Sequence, residues 1–300
     1  MIVQSLKGLL QGYTHFGVGS LPFKSEADAL DFISSRKYLL PFWPELPRKS
    51  DQELMMKRAE RATSFNWNGY NQEEACGFFS AIKLWKDSKI KIIKGQVVGP
   101  VTFSMLNQDI GGNEDFENQF ELSCEISIKQ SLWQASIIKK EFLGSLIIVL
   151  DEPSLIEWPN MSSHRKQVVI DGYSYLYSRL SENGIYVGLH SCGIHYDEFL
   201  NFPFDLYSTD CSSRALMKIF DYKNYWNEFF VRGGIFIAGV YCTNPENSEI
   251  QFEKEQGDQR LNKINSEFPS FKAQILTSAS CGHAFSDLEW MEYLYPKLNL

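Results

Sequence analysis

The 300-residue chain lacks the features that mark membrane, secreted and nucleic-acid-binding proteins. No apolar run approaches the roughly 20 residues that a membrane-spanning helix needs. The first ten residues carry one lysine and a broken apolar stretch, which is not typical of a secretory signal. Asp and Glu (37) outnumber Lys and Arg (29), and the net charge of -8 disfavours a broad phosphate-binding surface. We therefore expect neither a membrane nor a nucleic acid as a partner.

Closely spaced cysteines are missing as well. The six cysteines are widely scattered, and no two of them form a Cys-x-x-Cys pair. In a large chain this pattern favours reduced thiols over a disulfide framework, and we expect a cytoplasmic protein. The hydrophobic (44%) and charged (22%) fractions are those of an ordinary globular protein, so the chain can bury a sizeable core.

Eight short apolar runs predict β-strands, and nearly all of them precede a helical segment. Apolar strands that alternate with helices indicate a parallel sheet covered on both faces. Eight such units favour a single (β/α)8 TIM barrel over residues 1–300, with an open doubly wound sheet as the alternative. The predicted strands are residues 13–20, 38–42, 91–98, 145–150, the run that begins at 185, 204–209, 234–240 and 273–277.

Polar side chains of unusual chemical type follow the predicted strands. The carboxyl ends of parallel barrel strands open at one face, where active sites of this architecture lie. We therefore expect these residues to share a pocket although they are far apart in sequence. They are Ser20, Glu45, Thr102, Asp151, Glu152, His190, Cys192, Asp210 and Cys281.

Residues 188–193, Gly-Leu-His-Ser-Cys-Gly, carry the sharpest chemical signal. Strand residues two apart point to the same side, so His190 and Cys192 should project into one space. Imidazole nitrogen and thiolate sulfur are preferred zinc ligands, and a tetrahedral site needs about two more. Asp210 and Cys281 follow other predicted strands and are the candidates for these positions. The alternative is a buried cysteine and a hydrogen-bonded histidine that only pack at a strand end.

Five short motifs carry a family resemblance over nearly the whole chain. The sequence resembles the catalytic C-terminal barrel of cobalamin-independent methionine synthase. It also resembles the wider superfamily that includes uroporphyrinogen decarboxylase and the methyl-corrinoid:coenzyme M methyltransferases. The motifs are Gly-Ser-Leu-Pro (19–22), Gly-Pro-Val-Thr (99–102), Asp-Glu-Pro-Ser-Leu (151–155), His-Ser-Cys (190–192) and Ser-Cys-Gly (280–282).

The resemblance implies a zinc site. His190, Cys192 and Cys281 match zinc ligands of the family. Asp210 stands where methionine synthases have a glutamate ligand, and its side chain is one methylene shorter. The expected cofactor is therefore Zn2+, held by these four residues.

The resemblance also implies a site for an amino-acid thiol. Gly19 and Ser20 match a loop that contacts the substrate, and Glu157 matches an acid on the folate side. Asp151 matches the carboxylate that holds the substrate amino group, and it is the predicted catalytic residue. Two further candidates for substrate contacts, both near predicted strand ends, are Glu45 and Glu152.

Two departures from the family bear on the methyl donor. Methionine synthases have a histidine proton donor in a Val-Tyr-Asp-Ile-His context, where residues 240–244 of this chain read Val-Tyr-Cys-Thr-Asn. Leu106 stands where the family has an aromatic residue that stacks on folate. We therefore expect a methyl-corrinoid, free or carried by a corrinoid protein, rather than a methyl-folate.

The leading hypothesis is a zinc-dependent methyltransferase that acts on a small thiol such as homocysteine. Metal coordination deprotonates a thiol and keeps its sulfur electron-rich, as methyl transfer requires. Two alternatives stay open. One is a uroporphyrinogen decarboxylase-like enzyme, which would need arginines near the mouth of the site. The other is a non-catalytic accessory protein that binds a corrinoid or a thiol.

Overall fold

A parallel sheet of six strands forms the centre of the computed structural model. The model describes residues 5–86, 88–106, 116–193, 197–245 and 250–297. Neighbouring strands in the sheet are consecutive in the chain and parallel, so their carboxyl ends all open at one edge. The strands are β1 (Ile92–Val98), β2 (Ser145–Asp151), β3 (Ile185–Ser191), β4 (Leu206–Asp210), β5 (Ile235–Tyr241) and β6 (Ile275–Ala279).

Helices connect the strands and pack mainly against one side of the sheet. The α-helices of the described residues are α1 (Leu6–Leu9), α2 (Glu26–Ser34), α3 (Met55–Ala62), α4 (Cys76–Trp85), α5 (Pro100–Leu106), α6 (Phe116–Glu141), α7 (Ser163–Ser181), α8 (Ser213–Asp221), α9 (Lys223–Val231), α10 (Ile250–Glu267) and α11 (Leu288–Leu294). Among these described helices, none combines the length and the apolar content that crossing a membrane requires.

Local sequence explains how several of these helices begin and end. Ser25 caps α2, since its hydroxyl accepts a hydrogen bond from the backbone N–H of Asp28. Gly184 follows α7 with a φ of +66°, a conformation that favours glycine and stops the helix.

The predicted closed barrel of eight strands is wrong. The six regular strands form an open, curled half-barrel. The predicted strands at 13–20 and 38–42 are extended segments that make only isolated bridges. His15 bridges both Leu39 and Thr277 of β6, and Phe42 bridges Lys94 of β1. The strand order also lacks the reversal that defines the doubly wound alternative.

Glycine and proline explain why these two segments do not extend the sheet. Gly19 has a φ of +155°, which departs from a regular strand. Pro41 lies within the second segment and Pro44 and Pro47 follow it, and proline has no N–H to donate to a ladder. Pairing therefore stops after single bridges, although both segments lie beside the edge strands of the sheet.

The concave side of the curled sheet changes from apolar to polar along the strands. Toward the amino ends it is filled by aliphatic side chains, with Leu6 and Leu9 of α1 packed against them. Toward the carboxyl ends, alternate residues that share this side are polar. These residues are Lys94, Gln96, Asp151, His190 and Ser208.

Candidate metal centre

One nitrogen and two sulfur atoms meet at the carboxyl edge of the sheet. The Sγ of Cys192 lies 3.3 Å from Nε2 of His190 and 3.3 Å from the Sγ of Cys281. All three atoms lie within 4.8 Å of one another. Imidazole and thiolate groups at this spacing could hold a metal ion.

Strand register brings the three residues together. His190 is the penultimate residue of β3, Cys192 directly follows that strand, and Cys281 lies just beyond β6. The Nδ1 of His190 lies 2.9 Å from the hydroxyl oxygen of Ser208 on β4. This hydrogen bond orients the ring so that Nε2 faces the sulfur atoms, as the outer partners of metal-binding histidines do.

The two cysteines share a hydrogen bond that polarises them. The hydrogen bond between Cys192 and Cys281, in which either sulfur can be the donor, lowers the pKa of Cys281, and His190 acts in the same direction. The same hydrogen bond, together with burial, raises the pKa of Cys192. The lowered pKa of Cys281 favours its thiolate, which is the form of cysteine that binds metals.

Asp151 ends β2 beside this cluster. It pairs in register with His190, and its Oδ1 is shielded from solvent without a hydrogen-bond partner among the described residues. Burial raises the pKa of Asp151 to about 7, while the nearby His190 and Lys94 lower it. Burial of a carboxylate oxygen without a hydrogen bond costs free energy. A hydrogen-bond donor from a bound ligand would offset this cost.

Ser20 and Glu45 lie on the other side of the pocket, where Ser20 ends the first extended segment and Glu45 follows the second. They bridge each other, and the backbone of Ser20 also accepts a hydrogen bond from His283 N–H. The carboxylate of Glu45 pairs with the buried guanidinium of Arg58 from α3. Gly19 packs against Gln96 and does not line the pocket.

Glu152 lies behind the pocket wall. Its two carboxylate oxygens accept hydrogen bonds from the backbone N–H groups of Val101 (2.9 Å) and Thr102 (2.7 Å). The hydroxyl of Tyr173 donates a third at 2.5 Å. Burial raises the pKa of Glu152 to about 7, and these hydrogen bonds lower it. In this arrangement Glu152 joins β2 to the start of α5.

Two other predicted site residues lie apart from the cluster. Glu157 is exposed and accepts a hydrogen bond from the Asn160 side chain at 2.8 Å. Asp210 ends β4 on the concave side, but its Oδ1 accepts the backbone N–H of Ser212 at 3.0 Å. The cluster of His190, Cys192 and Cys281 therefore contains no carboxylate oxygen.

A pocket of about 250 Å³ opens beside the cluster. Asp151, His190, Cys192 and Cys281 line one part of it, and Ser20 lines another. No aromatic side chain lines it within the described part of the chain. Glu45, Thr102 and Gly282 also line it, and its apolar wall consists of Val18, Met55, Met56, Val98, Leu106 and Pro153.

Sequence reasoning missed several residues that shape this site. Ser208, which orients His190, is a serine inside the short strand β4, and the sequence pattern did not mark it as a site residue. Lys94 could have been found, because it is a charged residue inside an apolar strand. Its Nζ donates to the carbonyl of Val18 and, at 3.0 Å, to Gln96. Burial lowers the pKa of Lys94 to about 8.

Comparison with known proteins adds no relative to these observations. No protein-family model matches the chain. No curated protein matches it either. The function therefore has to be inferred from the site itself.

Proposed function

We propose that the chain is a zinc-dependent methyltransferase that transfers a methyl group from a methyl-corrinoid to a small thiol. The observation that carries this proposal is the meeting of His190, Cys192 and Cys281 in a pocket that also contains Asp151. The donor set, the unpaired carboxylate oxygen of Asp151 and the size of the pocket each support it.

The donor set suits zinc. One nitrogen and two sulfurs are soft to borderline ligands of the kind that zinc prefers over Mg2+ or Ca2+. Tetrahedral zinc separates such ligand atoms by about 3.6 to 3.8 Å, so the observed 3.3 Å contacts need only small outward shifts. Three protein ligands leave one position for a substrate sulfur. Zinc bound there would supply Lewis acidity that favours the thiolate form of the substrate at neutral pH.

Asp151 would orient the thiol substrate. Its unpaired Oδ1 can accept a hydrogen bond from a protonated amine, and the pairing would offset the cost of its burial. Ser20, across the pocket, would receive the polar group at the other end of a small amino thiol. A volume of about 250 Å³ suits a molecule the size of homocysteine.

The apolar wall supports a corrinoid as the methyl donor. Leu106 is 62% exposed at this wall, and Met55 and Met56 line it. A folate would need an aromatic surface for its pterin ring, and the described lining has none. A corrin ring is larger than the pocket, so it would present its methyl group from the mouth.

The two other functions have less support. Decarboxylation of a tetrapyrrole would need cationic side chains for its carboxylates. Among the described residues no arginine lines the pocket, and segments 107–115, 194–196 and 246–249 contain none. A binding protein without activity would show the same metal cluster, so turnover is the measurement that separates it from an enzyme.

A reconstitution assay tests the proposal. The purified chain is loaded with zinc and incubated with methylcobalamin and homocysteine, and S-methylated product is measured by mass spectrometry. We expect product that depends on zinc and disappears in the His190→Ala variant. The Asp171→Asn variant, altered at an exposed residue of α7 that contacts Gln167, is the control and should keep full activity.

Three results would count against the proposal in different ways. A chain that cannot be loaded with zinc lacks the required metal site. Zinc binding with tight thiol or corrinoid binding but no methylated product indicates the accessory protein. Turnover of a porphyrinogen substrate indicates the decarboxylase.

A further inference from the structure

Cys192 and Cys281 place two thiol groups in contact at the pocket. Their sulfur atoms lie 3.3 Å apart, whereas a disulfide bond needs about 2.05 Å, so a closure of about 1.3 Å separates them from a covalent bond. Neither residue belongs to a strand: Cys192 follows β3 and Cys281 follows β6. Their backbone can therefore adjust without breaking the sheet.

Access distinguishes this pair from the other cysteines. Cys192 and Cys281 are part-exposed and line an open pocket that a small oxidant can enter. The three fully buried cysteines are shielded, and buried thiols in apolar surroundings are inert. Cys242 is exposed but contributes no atom to the cluster. Oxidation should therefore be directed to the pair in the pocket. The buried cysteines are Cys76, Cys124 and Cys211.

We propose that Cys192 and Cys281 are a redox modification site: hydrogen peroxide joins them in a disulfide, and the oxidised protein cannot hold a metal. This inference rests on the proposed metal site, because the same two sulfurs serve as ligands there. The Cys192–Cys281 bond would turn both donors away from the metal position and leave His190 as the single remaining ligand.

The reaction balances without a further reactant. Two thiols and one molecule of hydrogen peroxide give one disulfide and two molecules of water. The sulfur–sulfur bond forms as the oxygen–oxygen bond breaks, so the sulfurs are oxidised and the peroxide oxygens are reduced. A thiol reductant reverses the step by thiol–disulfide exchange. Metal bound to both sulfurs slows the oxidation, because it occupies the electron pairs that attack peroxide.

Oxidation of the whole chain with and without metal tests this inference. Reduced protein, either stripped of metal or loaded with zinc, is treated with equimolar hydrogen peroxide. We expect the stripped protein to lose the mass of two hydrogen atoms and to yield one cross-linked peptide pair that contains Cys192 and Cys281. The loaded protein should react more slowly and release one zinc ion per disulfide, measured with a chromophoric chelator. A reductant should restore zinc binding.

Matched cysteine variants identify the pair. Cys242→Ser should form the disulfide as the unaltered chain does, whereas Cys192→Ser and Cys281→Ser should form none. Circular dichroism checks that each variant is folded.

Three results overturn the inference. They are sulfinic acid at either residue without a cross-link, a cross-link to Cys242, and undiminished zinc binding after oxidation. If the chain binds zinc and turns over but forms no disulfide, the inference alone fails. If the reduced chain binds no zinc, the proposed function and the metal-dependent part of this inference both fail.

Discussion

Asp151 and His190 are register partners across the ladder between β2 and β3. Paired residues in a parallel ladder present their side chains to the same side of the sheet. The carboxylate of Asp151 and the imidazole of His190 are therefore neighbours. The next ladder places Ser208 of β4 opposite His190. Because one row holds the carboxylate proposed to bind the substrate, a proposed metal ligand and the hydroxyl that orients that ligand, substitutions along it should separate metal binding from substrate binding.

Loss of a ligand atom should remove the metal. His190→Ala and Cys281→Ser each leave two of the three donors, and two protein donors do not sustain a stable zinc site. We expect less than a tenth of the zinc content of the unaltered protein, measured by atomic emission after purification and reconstitution. Cys242→Ser, at an exposed cysteine outside the cluster, should keep its zinc. Equal zinc in all three variants would show that the metal binds elsewhere.

Ser208 should tune the affinity for zinc without being a ligand. Ser208→Ala removes the hydrogen bond that orients the His190 ring, and loss of such an outer partner typically costs about 10- to 100-fold in metal affinity. Competition with a chelator of known affinity measures the change. Ser278→Ala is the matched control, because this buried serine hydroxyl has no hydrogen-bond partner in the described structure. A similar loss in both variants would contradict the orienting role of Ser208.

Asp151→Asn should separate thiols by their amino group. The charged hydrogen bond to a substrate ammonium is worth about 1.5 to 3 kcal/mol, so KM for homocysteine should rise about 10- to 100-fold. KM for an analogue that lacks the amine should stay unchanged, as should the zinc content. Steady-state kinetics with both thiols measures this difference. An equal rise for the two thiols would indicate a general disturbance of the pocket instead of recognition of the amine.

The sequence predicts the meeting of His190, Cys192 and Cys281 because strand geometry determines where these side chains lie. His190 and Cys192 share a side because they are two residues apart, and Cys281 approaches them because parallel strands end at one edge. The same reasoning placed six of the eight strands close to their observed positions. The carboxylate of Asp210 accepts the N–H of Ser212, a local contact that the strand pattern does not predict.

Other features depend on tertiary contacts that the sequence does not reveal. Glu152 looked like a pocket residue, yet its carboxylate receives two backbone N–H groups of α5, which only the pairing of β1 with β2 brings near. The prediction of a closed barrel was wrong for a similar reason. Apolar runs at 13–20 and 38–42 resemble strands, but glycine conformation and proline limit their pairing to single bridges.

The buried ion pair of Arg58 and Glu45 should contribute strongly to stability. Arg58→Met removes the guanidinium and leaves the Glu45 carboxylate, which is 4% exposed, without its partner. Breaking a buried pair in this way costs about 3 to 5 kcal/mol in the free energy of unfolding. Urea denaturation measures the change. The control is Lys57→Met on the same helix, whose exposed pair with Glu60 is worth less than about 1 kcal/mol. Similar losses in both variants would contradict the importance of burial.

His15 should make the folded state less stable in mild acid. Its ring lies edge-on to Tyr38 and Tyr295, and burial lowers the pKa of His15 to about 4, with Lys254 acting in the same direction. The unfolded chain takes up this proton near pH 6.5, so the free energy of unfolding falls as the pH drops from about 6.5 to about 4. Below that range both states are protonated and the contribution is constant.

The His15→Phe variant isolates this effect, because phenylalanine keeps an aromatic ring between Tyr38 and Tyr295 but does not titrate. The unaltered chain should lose stability relative to the variant by at most about 1.4 kcal/mol per pH unit between pH 6.5 and 4. Urea denaturation at several pH values gives the difference between the two proteins. The slope due to His283, whose pKa burial also lowers to about 4, is present in both and cancels. A difference that does not change with pH would show that His15 is protonated alike in the folded and unfolded chains.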